Sequence, residues 1–196
     1  DKDGAQSATI TGVFDLQVTQ RVSLDLLARR RDSSADIDVF DFEFAFPFRE
    51  TRLDSPDAEI GQNDLTLARL GATWELSDAL SLRVTAGRLD QDRVSNRFGA
   101  LTDSFSGARR FADLTLNWQA GDVGGLQDIA IVAGVASERE KAEIAQGFGF
   151  PPPFLFTAAE QDQSGAFVTA QGRSGALSLT GAVRVDDFEG FGAQTT

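Results

Sequence analysis

The residues best equipped to do chemistry in this 196-residue chain are carboxylates and phenylalanines crowded into one stretch. Asp32, Asp36, Asp38, Asp41, Glu43, Asp54, Asp57, Glu59 and Asp64 supply hard oxygen donors there. Ca²⁺ takes about six to eight such oxygens, often from alternate acidic residues of a loop. Asp36-Ile37-Asp38 has that alternation, although no twelve-residue EF-hand pattern follows it. The bland alternative is a solvated acidic loop. Phe40, Phe42, Phe44, Phe46 and Phe48 occupy successive even positions, so an extended chain projects all five rings to one side. They would form either an outer aromatic belt or an apolar surface for a ligand. Covalent chemistry has little to work with. His and Cys are both absent, which removes the commonest general base, the thiolate nucleophile and the usual transition-metal ligands. No glycine-rich phosphate loop, serine triad or paired-carboxylate motif stands out, so an enzyme is not expected.

The charge balance narrows the partners. With 18 basic and 30 acidic residues the formal charge is −12, the wrong sign for holding a phosphate backbone, so no nucleic acid is expected. The chain opens on Asp1-Lys2-Asp3-Gly4, without a signal peptide, and reads as a mature or internal segment. No run approaches the ~18 consecutive apolar residues of a spanning helix. A spanning strand, however, needs only about 9–11 residues with one apolar face.

Such strands are what the sequence supplies. Over residues 65–88, Ala68, Leu70, Ala72, Trp74 and Leu76 share one parity, and Arg69, Gly71, Thr73 and Glu75 the other. After the break Ser77-Asp78-Ala79, Leu80, Leu82, Val84 and Ala86 alternate with Ser81, Arg83, Thr85 and Gly87. A period of two across a short polar break predicts a β-hairpin with one apolar and one polar face. The pattern recurs, giving eight strands at about 7–17, 20–31, 64–76, 79–90, 109–119, 127–139, 163–172 and 175–187. Connections after odd strands are short. Those after even strands are read as long loops at about 32–63, 91–108 and 140–162, the last carrying the polyproline-like Phe148-Gly149-Phe150-Pro151-Pro152-Pro153-Phe154. One plain end and one elaborated end, with Trp74, Trp118 and Phe14 on the apolar face near short turns, predict an all-β antiparallel transmembrane β-barrel. Residues 1–196 form one unit.

The stretch 176–196 contains an apolar/polar strand running into Arg184-Val185-Asp186-Asp187, then Phe191-Gly192 and Thr195-Thr196. It resembles a recurring segment of TonB-dependent outer-membrane receptors. The order of strands and loops from about residue 20 onward is similar to the barrel of the cobalamin transporters among them. The resemblance implies a bacterial outer-membrane location, contact with outer-membrane lipid, and uptake of a scarce nutrient such as cobalamin or a metal–siderophore. It also implies a TonB-type energising complex acting through a plug domain, which is not found in this sequence. On the same resemblance Asp36 and Asp38, with Asp54 or Asp57, would bind Ca²⁺; in a barrel the polar Arg69, Arg83, Asp113 and Arg184 would face the lumen, and the Phe40, Phe42, Phe44, Phe46 and Phe48 rings would form a substrate-loop surface or an aromatic belt. The sequence departs from the family pattern at Ile37 and in loop length. Receptors of this kind have 22 strands, so the eight read here would be part of a larger barrel, with 192–196 starting a further strand. Two rivals are a self-contained eight-stranded barrel acting as anchor or adhesin, and a soluble β-sandwich binding module.

Overall fold

The structure is a computed structural model that describes residues 4–36, 39–43, 49–53, 59–97, 100–147, 154–190 and 192–195. Its strands are β1 (Ala5–Thr19), β2 (Val22–Asp36), β3 (Val39–Glu43), β4 (Arg49–Leu53), β5 (Glu59–Ser77), β6 (Leu80–Arg97), β7 (Ala100–Val123), β8 (Leu126–Gly147), β9 (Phe154–Ser174), β10 (Leu177–Phe188) and β11 (Gly192–Thr195). Nine of them form one antiparallel meander in the order β1-β2-β5-β6-β7-β8-β9-β10-β11, and β3 and β4 pair as a separate hairpin. All eight strands expected from alternation are present, and the further strand expected near residue 192 is β11. The sheet is open, with β1 and β11 at its edges.

The loop boundaries need correction. Residues 91–97 and 100–108 are paired strand, so β6 and β7 are joined across 98–99 rather than by an eighteen-residue loop. Likewise β8 runs on to Gly147 and β9 starts at Phe154, inside the expected loop 140–162. Of 32–63, the ends belong to β2 and β5, and the hairpin β3–β4 lies between them. The physical reason is that alternation of apolar and polar residues stops near Ala86, Ala112 and Val135, while the backbone ladder does not. Cross-strand pairs such as Arg139–Asp162 at 2.5 Å and Lys141–Glu160 at 2.7 Å accompany the ladder where apolar contact has ended. At the other end the strands turn back at once. Gly124 (φ 62°) and Gly125 (φ 86°) make the β7–β8 turn, which needs positive φ at both central positions to match the strand twist.

Register reveals a slope. A line perpendicular to the strands through Val22, the first residue of β2, crosses Trp74, Leu82, Leu116, Ala133, Val168 and Val183. Val183 lies six residues beyond Leu177, where β10 leaves its own turn. Six residues over six strand spacings, at about 3.4 Å and about 4.8 Å each, is a tilt of roughly 35°, within the ~35–45° that closing a sheet into a barrel requires. The perpendicular from Trp74 meets β7 at Leu116, two residues from Trp118 and two strands away, so the slope brings both indoles to one level. Phe14, paired with Leu26, stands about two residues higher.

The two faces differ as alternation predicts. Ile10, Phe14, Leu26, Leu70, Trp74, Val84, Leu114, Trp118, Val168 and Val183 are exposed on one face. On the other, Thr85 is buried at 8%. Among the described residues Ala130 is the one buried hydrophobic side chain. Such a sheet has almost no core of its own, and nothing described covers its apolar side. Among the described residues there is no second layer of the kind that makes a sandwich.

Candidate functional site

The polar face carries the site, and one row across the sheet organises it. Asp15, Asp25, Gly71, Thr85, Asp113, Ala136, Gly165, Asp186 and Gln194 stand directly opposite one another on successive strands. Small residues (Gly71, Ala136 and Gly165) are interspersed among larger ones along it. The Asp25 carboxylate lies over Gly71, and the Asp186 carboxylate over Gly165, where a Cβ would otherwise sit. Two rows away in parity, Phe111 covers Gly87 and Phe167 covers Gly134 in the same manner.

Three strands are laced together at Asp25. Arg69 Nη2 donates to its Oδ2 at 3.1 Å and Arg83 Nη2 to its Oδ1 at 2.6 Å, while Arg83 Nη1 donates to Thr73 Oγ1 at 2.9 Å. Asp25 is only 20% exposed, so this triad is shielded more than an ordinary surface pair. Nearer the other end, Arg109 Nη2 donates to Glu138 Oε2 at 2.6 Å and its Nε lies 3.5 Å from Glu140. Arg184 forks onto Asp186 at 2.6 and 2.8 Å. Leu67, Leu89, Arg109, Phe111, Glu138 and Arg184 border an open hollow of about 440 Å³ on this face. It is a shallow amphipathic wall that can orient a large polar ligand or a packed domain.

The four residues expected to face the lumen, Arg69, Arg83, Asp113 and Arg184, all share the polar face. Arg69 and Arg83 meet at Asp25; Arg184 pairs within its own strand; Asp113 makes no ion pair among the described residues. Sequence reasoning missed Asp25, Arg109 and Glu138. Their parity matched that of Arg69 and Arg83, but only the register shows which of them meet. Of the candidate metal ligands, Asp36 ends β2 opposite Ile60; Asp38, Asp54 and Asp57 lie outside the described residues. Among the described residues no group of three or more acidic side chains is placed to hold a metal ion. Phe40 and Phe42 fall on β3, opposite Arg52 and Glu50 of β4; Phe44, Phe46 and Phe48 lie outside the described residues.

Past the apolar band, the Glu138 and Glu140 carboxylates crowd against Arg109. Glu140 is held above the ordinary glutamate value first by its hydrogen bond with Glu138, then by partial burial and the Glu138 charge, with Arg109 opposing. A raised carboxyl binds its proton more tightly in the folded state, so its contribution favours folding at low pH and disappears as pH rises through the folded value. Glu140→Gln should therefore raise the urea midpoint at pH 7 by the equivalent of a few tenths of a kcal/mol, given its exposure. The gain over wild type should shrink toward pH 4, and a gain that grows on acidification would refute this account.

An antiparallel sheet tilted as closed barrels are, exposed and apolar on one side and polar on the other, is the wall of an outer-membrane-type β-barrel. Solved structures agree on the fold. The chain is similar to the ferric preacinetobactin receptor BauA of Acinetobacter baumannii, with a TM-score of 0.72 and 12% identity, over 98% of this chain and 34% of that one. It is also similar to the outer membrane transporter YddB of Escherichia coli, with a TM-score of 0.60 and 12% identity, over 97% of this chain and 35% of that one. The chain thus spans about a third of the length of either structure. No family model and no curated protein sequence matches it.

Proposed function

We propose that this chain is a strip of the barrel wall of a bacterial outer-membrane receptor of the TonB-dependent kind, which takes up a scarce, bulky nutrient. The observation that carries the reading is the exposed apolar face. Its lower edge is marked by two level tryptophans, and it belongs to a sheet whose fold is similar to that of two outer-membrane proteins. Hydrocarbon is the natural cover for so large an apolar surface. The chain performs no covalent chemistry in this reading. Its polar face lines the lumen, where Asp25, Arg69 and Arg83 stiffen the wall beside a plug, and an energising complex acts through that plug.

Among nutrients, a metal–siderophore is favoured over cobalamin, because BauA is a receptor for a ferric siderophore. The test is uptake of radioactive iron as ferric siderophore, by cells with and without the complete protein under iron limitation. Uptake should require both the protein and the energising complex. Equal uptake without the protein, with cobalamin uptake lost instead, would transfer the reading to cobalamin. Loss of neither would overturn it.

A further inference from the structure

Above the apolar band the outward face changes abruptly to charge. Arg88 on β6, Arg110 on β7 and Arg139 on β8 stand directly opposite one another. Guanidiniums in such register repel unless anions lie between them. Two have internal partners: Arg88 forks onto Asp90 at 2.6 and 2.7 Å, and Arg139 onto Asp162 at 2.5 and 2.6 Å, with Glu160, itself paired to Lys141, 3.5 Å from the Arg139 Nε. Each fork uses two of a guanidinium's five donors. Arg110, between them, is exposed and makes no ion pair among the described residues.

The slope of the sheet decides what these arginines meet. Descending one residue per strand brings Arg30, Arg88, Arg110 and Arg139 within about two residues of a common level. Arg110 is eight residues from Trp118 along β7, about 27 Å of strand. The tilt projects this to roughly 22 Å, close to the ~25 Å apolar band of outer-membrane barrels. The collar therefore lies where hydrocarbon gives way to headgroups, opposite the tryptophan level.

We propose that Arg110, flanked by Arg88 and Arg139, binds the phosphate of a lipid headgroup in the outer leaflet. The proposal rests on the outer-membrane reading above and adds a specific lipid contact to it. Guanidinium suits phosphate because its planar donors engage two oxygens at once, and the unpaired donors of Arg88 and Arg139 close the site on either side.

The test uses the complete protein in a neutral detergent, titrated with phosphatidic acid, phosphatidylcholine or inorganic phosphate and read by native mass spectrometry. Phosphatidic acid should be retained over phosphatidylcholine. Arg110→Gln should weaken its binding about fivefold, Arg110→Lys should recover part of the loss, and Arg21→Gln at the opposite turn should change nothing. Unchanged phosphatidic acid binding by Arg110→Gln would overturn the proposal, as would equal retention of phosphatidylcholine. Competition by inorganic phosphate at equal concentration would make this a free-anion site and overturn it too. Each variant is scored only with its heat-dependent electrophoretic shift intact, and Arg110→Lys serves if Arg110→Gln loses that shift. Wild-type protein that fails to insert into neutral vesicles would sink the outer-membrane reading; insertion with lipid binding indifferent to Arg110 sinks the lipid site alone.

Discussion

Val84→Arg should destabilise the folded protein in a bilayer by about 2–4 kcal/mol, the cost of a cation at the lipid-facing midplane of an outer-membrane barrel. Val84 is 44% exposed and lies in a row with Leu24, Ala72, Leu114 and Val135. The sheet's slope puts it about midway between the tryptophan level and the arginine collar. On a face bathed in water, so exposed a position would accept arginine within about 0.5 kcal/mol. The substitution thus separates hydrocarbon from water as the surroundings of this face. Ser137→Arg is its internal control. Ser137 shares the outward parity but lies at the collar level, where the same cation costs only about 0–1 kcal/mol. Urea midpoints of both variants in neutral vesicles give the comparison, and equal values would remove the lipid from the account.

Alternation makes the two faces legible in the sequence itself, because period two is a property of single strands. The hairpins were legible for the same reason, and so was the start of β11. The length of the strands was not. Beyond Ala86 and Ala112 both faces turn polar, so β6 and β7 lose their pattern where the apolar surroundings end, although hydrogen bonds carry them on to Arg97 and from Ala100. Anything that depends on neighbours was equally hidden. That Trp74 and Trp118 share a level, or that Arg88, Arg110 and Arg139 form a row, follows from register between strands. Parity places Arg69 and Arg83 on the polar face, yet nothing in a single strand says that Asp25 joins them. Of the phenylalanine run and the acidic residues around it, Phe44, Phe46, Phe48, Asp38, Asp54 and Asp57 lie outside the described residues.

Gly71→Ala should cost about 1–3 kcal/mol, the usual range for adding a methyl group to an occupied space. The site is occupied by Asp25, whose Cγ and Oδ2 lie 2.7 Å from where the Cβ would stand. A carboxylate is a movable obstacle, so the clash alone is cheap to relieve. Its relief is not, since Asp25 can leave only by releasing Arg69 at 3.1 Å and Arg83 at 2.6 Å. Two guanidiniums would then share one wall with no acid between them. The mechanism makes a sharper claim than the single value. Asp25→Ala already breaks both contacts and empties the space, so adding Gly71→Ala to it should cost almost nothing beyond β-propensity. A double-mutant cycle should return a coupling of about 1–3 kcal/mol, the size seen for residues in one network. If the two changes add, the glycine is not there to seat the carboxylate.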